Sequence, residues 1–231
     1  MTNSRCTLLI VSKAPVPGQV KTRLAPTISL DDAAELASAS LLDTLDAARR
    51  TAVTARVVAL TGELSAARHG AEIAAVLDDF VVVAQRGDDF ARRLVNAHAD
   101  AAGVAHRPVL QIGMDTPQVT PALLGDAAAT LTRPDVDAVF GPATDGGWWA
   151  LGVSTPDMAE ILADITPSRC DTGDRTLRGL VQRGWRVARL PVLSDVDTPG
   201  DVRRVAGEVA PDSRFRAVAR RLRQCGHHGL G

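Results

Sequence analysis

Three cations stand on one short loop near the start of the chain. Lys13, Lys21 and Arg23 fall within SKAPVPGQVKTRLAP, directly after the apolar run TLLIV. The prolines of this loop fix their own backbone angles, and Gly18 permits a close backbone approach to a ligand. Converging cations repel one another unless an anion lies between them, so the loop predicts a phosphate site. The alternative is a solvated turn, and the Walker loop is excluded because GQVKT lacks its glycine spacing.

Three aspartates follow other strand-like runs. Asp115 lies in QIGMDTP, Asp145 in FGPATDGGWWALG and Asp197 in LPVLSDVDTPGD. One or two carboxylates together with substrate phosphates are the usual ligands of magnesium, so Asp115 and Asp197 predict a divalent-cation site. The structural alternatives are helix capping near Asp115 and Asp197, where Thr120 and Thr198 are themselves credible caps, and a hairpin turn at Asp145.

Two tryptophans, Trp148 and Trp149, come directly after the glycines that follow Asp145. Adjacent side chains of a strand face opposite ways, so one ring is expected in the core and the other toward a crevice or solvent. A ring in the crevice could stack on a sugar or a base.

Strand-like and helix-like segments alternate along the chain, which predicts a mostly parallel sheet with helices on both faces. Ligands of such sheets bind beyond the carboxyl ends of the strands, where the residues above are expected. We predict one domain over 1–224 and a flexible tail over 225–231. The predicted strands are 6–12, 55–60, 80–85, 108–113, 136–142, 146–154 and 185–192, and the predicted helices are 29–50, 63–77, 88–102, 121–131, 157–164 and 171–183, followed by a helical tail.

The composition limits the classes of function. Lys and Arg number 26 against 27 Asp and Glu, which argues against a nucleic-acid or membrane partner bound by overall charge. No apolar run approaches the roughly 18 residues of a membrane helix, and no leader pattern is visible. We therefore expect a soluble, cytoplasmic protein.

The ordered motifs SKAPVPGQVKTRLAP, GMDTP, GPATDGGWWALG and SDVDTPGD resemble the DUF2064 family, also called transferase 1, rSAM/selenodomain-associated. That family is grouped with the GT-A nucleotide-diphospho-sugar transferases. The segments KTRLAP and DVDTP are also similar to parts of the phosphoenolpyruvate and 2-phospholactate guanylyltransferases.

This resemblance implies a single-domain, Rossmann-like GT-A fold, a three-layer α/β/α sandwich that binds Mg²⁺ or Mn²⁺ and a nucleotide. By motif position, the implied metal ligands are Asp115 and Asp197, and the implied catalytic residues are Lys21, Arg23, Asp115 and Asp145. The implied nucleotide-binding residues are Lys13, Ala14, Pro15, Gly18, Lys21, Arg23 and Arg93. Phe90-Ala91 stands where Leu-Gly is expected, and Gly113-Met114 where a small polar residue is commoner, so the shape of the acceptor site stays open.

Two reactions fit these residues. In nucleotidyl transfer, a small phosphorylated or hydroxyl acceptor attacks the α-phosphorus of a nucleoside triphosphate and pyrophosphate leaves; the cationic loop favours this reaction. In glycosyl transfer from a nucleotide sugar, Asp145 is the candidate base. A nucleotide-binding regulatory module is a third hypothesis, and the paired acids Asp115 and Asp197 argue against it.

Overall fold

The computed structural model describes residues 4–165 and 170–224. Its centre is a seven-stranded sheet in the order β3-β2-β1-β4-β6-β5-β7, in which β6 alone runs antiparallel to its neighbours. The strands are β1 Ser4–Lys13, β2 Val53–Thr61, β3 Val81–Ala84, β4 Val109–Gly113, β5 Ala138–Pro142, β6 Trp148–Val153 and β7 Val187–Arg189. The mostly parallel sheet predicted from the alternating segments is confirmed.

Seven α-helices surround the sheet within the described ranges. They are α1 Leu30–Arg50, α2 Gly70–Leu77, α3 Phe90–Ala105, α4 Pro121–Leu131, α5 Thr172–Gln182, α6 Pro199–Glu208 and α7 Arg214–Gln224. Thr22–Leu24, Leu64–Ala66 and Pro156–Asp164 form 3-10 helices. Thr120 and Thr198 cap α4 and α6 by accepting backbone hydrogen bonds, with a proline in each first turn, so the aspartates before them are not needed as caps.

The sheet is covered on both faces because β1 is apolar on both sides. Leu8 and Ile10 join a core with α1, α2 and α4, whereas Leu9 and Val11 join a core with α3, the 3-10 helix at 156–164 and α5. A third cluster joins α1 to α6 and α7. These packings give the predicted three-layer α/β/α sandwich.

Two predicted elements are shorter than expected by more than two residues at one end. The helix predicted over 63–77 begins only at Gly70, because His69 has a left-handed backbone (φ 52°) and Gly70 lies against the Leu64 carbonyl, where a Cβ would approach to 1.9 Å. The strand predicted over 185–192 is limited to β7. The tail predicted over 225–231 lies outside the described residues, and no helix in the described part of the chain is long and apolar enough to cross a membrane.

Gly141 of β5 lies directly against the buried ring of Trp149. A Cβ at this position would lie 2.6 Å from Trp149 Cε2, whereas one at Gly125 of α4 would meet no atom within 4 Å. We expect Gly141→Ala to lower the free energy of unfolding by about 1–3 kcal/mol. The matched control Gly125→Ala should raise it by about 0.5–1 kcal/mol, because alanine favours a helix interior. Urea denaturation measures both, and equal effects would contradict this packing.

His98 of α3 is completely buried, and burial lowers its pKa from 6.5 to about 4. Between pH 4 and 6.5 the unfolded chain therefore binds a proton that the folded protein does not. This difference leaves the free energy of unfolding unchanged above pH 6.5. As the pH falls toward 4 it lowers that free energy, by about 2–3 kcal/mol at pH 4.5. Between pH 7 and pH 4.5 the free energy of unfolding of the wild type should therefore fall by about 2–3 kcal/mol more than that of His98→Leu. Urea denaturation at both pH values measures this, and parallel losses would contradict it.

Candidate functional site

A cleft of about 810 Å³ opens at the carboxyl ends of β1 and β4. Because β6 is antiparallel, the turn that precedes it reaches the same edge of the sheet as the ends of the parallel strands. The cleft is lined by the loop after β1, the start of α3, the β5–β6 turn and the segment before α6. It contains Lys13, Lys21, Arg23, Arg93, Asp115, Asp145 and Asp197 from the predicted site.

One buried ammonium group joins two of the predicted acids. Lys21 Nζ lies 3.0 Å from Asp115 Oδ2 and 3.2 Å from Asp197 Oδ1, and only 6% of the Lys21 side chain is exposed. Burial by itself would lower the pKa of Lys21, but the negative charges of Asp115, Asp197 and Asp195 outweigh it and raise that pKa. Lys21 is therefore charged in the ligand-free site.

The backbone of Lys21 is also unusual. Its φ of 48° and ψ of 33° place it in the left-handed region, immediately before the 3-10 helix Thr22–Leu24. For a residue other than glycine this conformation costs about 1–2 kcal/mol, and it persists only where surrounding contacts enforce it. Here the two ion pairs hold the side chain, so the loop presents Lys21 inward.

The other predicted cations line the same cleft with different partners. Arg23 Nη1 donates to Asp197 Oδ2 at 2.8 Å and is largely exposed. Lys13 Nζ donates to the Gln19 carbonyl within the loop, and Arg93 Nε donates to the Gly87 carbonyl. Lys13 and Arg93 thus help to shape the cleft while adding positive charge to its walls.

Ala14, Pro15 and Gly18 are not among the described residues that line the cleft. Ala14 and Pro15 are buried: the Ala14 amide donates to the Thr61 carbonyl, and the Pro15 carbonyl accepts from the Arg68 amide. Gly18 is exposed with φ 77°. Ala14 and Pro15 therefore fix the loop against β2 and the segment before α2.

Asp195 joins Asp115, Asp145 and Asp197 among the acids that line the cleft. Asp195, which is mostly buried, accepts a hydrogen bond from Thr116 Oγ1 at 3.2 Å. Burial, followed by the charge of Asp115, raises the pKa of Asp195 to about 7, although Lys21 opposes the shift. Among the described residues, no group of three or more histidine, cysteine, aspartate or glutamate side chains is placed so that it could hold a metal ion.

Asp145 has a structural role in addition to its place on the cleft wall. Its Oδ1 accepts the Gly147 amide hydrogen bond at 2.8 Å, and Gly146 adopts φ 88°, so the segment forms the tight turn between β5 and β6. Trp149 is buried and donates from Nε1 to the Pro191 carbonyl, while half-buried Trp148 lines the cleft. The predicted division of the two rings is observed.

Gln85 and Gln111 are among the polar residues of the cleft lining that sequence reasoning missed. Gln85 lies just after β3, and Gln111 lies within β4, where both neighbouring residues are apolar and buried. A polar residue inside an otherwise apolar, buried strand is the signal that could have identified Gln111.

The sequence profile of the DUF2064 family, described as uncharacterized proteins conserved in bacteria, matches residues 44–169. The chain belongs to the DUF2064 family. This match covers more than half of the chain and confirms the resemblance found in the motifs. No curated protein matches the chain at a significant level.

Solved structures share the fold of this DUF2064 protein. A candidate nucleotide-diphospho-sugar transferase from Desulfovibrio desulfuricans has a TM-score of 0.84 at 26% identity, covering 98% of both chains. The manganese complex of Rv0371c from Mycobacterium tuberculosis has a TM-score of 0.54 at 24% identity, covering 88% of this chain and 98% of that one. The CTP complex of CMP:2-keto-3-deoxy-manno-octonic acid synthetase has 0.51 at 11% identity, covering 87% and 97%. These likenesses confirm the GT-A-type α/β fold.

Lys21 and Arg23 differ in burial although both pair with Asp197. We expect Lys21→Met to lower the free energy of unfolding by about 1–3 kcal/mol, because Asp115 and Asp197 lose the cation between them while keeping partial access to water. Arg23→Met, with an arginine side chain that is 68% exposed, should cost less than about 1 kcal/mol. Urea denaturation in metal-free buffer compares the two, and equal losses would show that burial does not set the strength of these pairs.

Proposed function

We propose that this protein is a metal-dependent transferase with a nucleotide donor, and that its reaction is nucleotidyl transfer to a small acceptor. The observation that carries the proposal is the buried Lys21 ammonium between Asp115 and Asp197, at the edge of a cleft that Lys13, Arg23 and Arg93 also line. A cationic loop beside paired carboxylates provides both kinds of group that a metal-bound triphosphate needs.

In this proposal the loop over 13–23 receives the phosphates, and Asp115 and Asp197 hold Mg²⁺ or Mn²⁺. The metal would supply positive charge that neutralises the phosphate oxygens. Lys21 and Arg23 would stabilise the charge that develops on the α-phosphate and the leaving pyrophosphate. An acceptor oxygen forms a bond to the α-phosphorus, the bond to pyrophosphate breaks, and the acceptor proton, where there is one, passes to solvent.

The relatives support this proposal in general terms. The Desulfovibrio desulfuricans protein is named as a nucleotide-diphospho-sugar transferase candidate, Rv0371c was solved with manganese, and the synthetase was solved with CTP. Proteins of this fold have therefore been solved with a bound nucleotide and with bound manganese.

Glycosyl transfer from a nucleotide sugar is a second candidate, favoured by the position of Asp145 on the cleft wall next to Trp148. One Asp145 oxygen accepts the Gly147 amide hydrogen bond, so the other would act as the base. A regulatory nucleotide-binding module is disfavoured, because pure binding gains little from two acids beside bound phosphate.

The donor can be identified by thermal shift. We expect one of ATP, CTP, GTP and UTP to raise the melting temperature by about 5–10 °C at a hundred times its dissociation constant, and only with magnesium or manganese. Lys21→Ala and Asp115→Ala should each abolish this shift and any pyrophosphate release, because they remove a phosphate contact and a metal ligand.

Asp126→Ala is the matched control, since Asp126 is an exposed acid on α4 outside the cleft lining. It should leave the shift unchanged. A stronger response to UDP-, GDP- or dTDP-sugars than to the triphosphates would favour glycosyl transfer. Full activity of Lys21→Ala or Asp115→Ala would overturn the role of that residue.

A further inference from the structure

The ammonium group of Lys21 lies between the two proposed metal ligands. Its Nζ is 3.0 Å from Asp115 Oδ2 and 3.2 Å from Asp197 Oδ1, so a single positive charge already bridges the two acids. Magnesium binds carboxylate oxygens at about 2.0–2.1 Å, so an ion on Asp115 Oδ2 would lie no more than about 5 Å from this nitrogen. Like charges at such distances repel one another. A metal ion and the Lys21 ammonium therefore compete for the same oxygens.

The ligand-free structure offers no ready metal site at these acids. The described part of the chain contains no group of three or more histidine, cysteine or acidic side chains that could hold a metal ion. Asp115 and Asp197 each direct one oxygen at Lys21. The second Asp197 oxygen accepts from Arg23 Nη1 at 2.8 Å. The carboxylates that the proposed function assigns to the metal are thus already paired with cations.

Two other acids of the cleft lining have partners of their own and offer Lys21 no equal replacement. Asp145 Oδ1 accepts the Gly147 amide hydrogen bond. Asp201 belongs to the capping box of α6 and pairs with Arg204. An ammonium displaced by a metal ion would therefore give up two ion pairs. A divalent cation that binds alone has to overcome this loss, so we expect its affinity to be low.

The backbone is anchored on both sides of Lys21, so the exchange concerns the side chain. Val20 is buried in the core with α1, α2 and α4, and Leu24 is buried in the cluster that joins α1 to α6 and α7. A lysine side chain is a flexible four-carbon stem with a compact charge. The ammonium can therefore leave the acids by rotation of the side chain while the loop keeps its place.

A triphosphate would supply a new partner for the ammonium. Phosphate oxygens accept charge-assisted hydrogen bonds from lysine. A complex of metal and triphosphate brings a cation for the two acids and anionic oxygens for Lys21, so both sets of charges stay paired. The metal alone supplies only half of this exchange.

We propose that Lys21 excludes a divalent cation from Asp115 and Asp197 in the ligand-free protein, so that the site takes its ligand as a complex of metal and triphosphate. This inference rests on the proposed function, which assigns the metal to the two acids and the triphosphate to the loop. Lys21 disfavours binding of the metal alone and favours binding of the complex. Its substitution should therefore change these two affinities in opposite directions.

The first test measures the binding of Mn²⁺ alone, by the loss of its electron paramagnetic resonance signal. Lys21→Met should bind Mn²⁺ at least about tenfold more tightly than the wild type, because it removes the competing charge and keeps a side chain of similar length. Lys13→Met is the matched control, since Lys13 also lines the cleft but its Nζ donates to the Gln19 carbonyl. It should change the affinity by less than about threefold. An unchanged affinity in Lys21→Met, or an equal gain in Lys13→Met, would overturn the proposal.

The second test replaces free Mn²⁺ by its complex with a triphosphate. The probe is the α,β-methylene analogue of the triphosphate that gives the largest thermal shift, so that no reaction occurs. Calorimetry should show that Lys21→Met binds this complex about tenfold more weakly than the wild type, because the phosphates lose the ammonium. A variant that binds the complex as tightly as the wild type, or more tightly, would overturn the proposal.

The third test uses the wild type and does not depend on the folding of a variant. The chain contains no lysine other than Lys13 and Lys21, so acetylation by an N-hydroxysuccinimide ester, read by peptide mass spectrometry, reports on both. Without metal, Lys21 should be protected relative to Lys13, because only 6% of its side chain is exposed. Mn²⁺ should abolish this protection as it binds and leave the reactivity of Lys13 unchanged. Bound Mn²⁺ with Lys21 still protected would overturn the proposal.

Failure of this inference can be told apart from failure of the proposed function. A wild type that binds no triphosphate, with or without metal, would contradict the proposed function. The measurements with Mn²⁺ alone would still decide whether Lys21 and a metal ion compete for Asp115 and Asp197.

Discussion

The buried charge of Lys21 is the interaction on which the site depends. Asp115, Asp195 and Asp197 reach one edge of the sheet, and carboxylates brought together without a cation would repel one another and take up protons. Lys21 pairs directly with two of them and counteracts the rise in the pKa of the third. Its left-handed backbone and its burial follow from this central position.

The same arrangement explains why a ligand-free site of this kind can form at all. The Lys21 ammonium takes the place of the positive charge that a metal ion would bring in the proposed function. Arg23 adds a second, exposed cation to Asp197. When a metal ion and a triphosphate bind, the acids would pair with the metal and Lys21 with the phosphates. No buried charge would then be left unpaired in either the ligand-free or the bound state.

Sheet topology gathers these groups from distant parts of the sequence. Parallel strands deliver the loop after β1 and Asp115 after β4 to one edge, and the single antiparallel strand brings the Asp145 turn and Trp148 to that edge as well. Two carboxamides, those of Gln85 and Gln111, also line this cleft. Gln85 joins neighbouring strands through its hydrogen bonds, whereas Gln111 lies within β4 beside the buried ring of His98.

The sequence alone determined the fold class, the alternation of elements, the caps at Thr120 and Thr198, and the cations and acids that line one cleft. These features depend on local patterns: apolar runs, capping residues, and the rule that ligands bind beyond the carboxyl ends of parallel strands. Only the tertiary structure decided that Lys21 contacts acids rather than solvent, that Asp145 shapes a turn, and that Gln111 is buried beside His98. Contacts between residues 176 positions apart, as between Lys21 and Asp197, depend on how the strands are ordered, and no local pattern records that order.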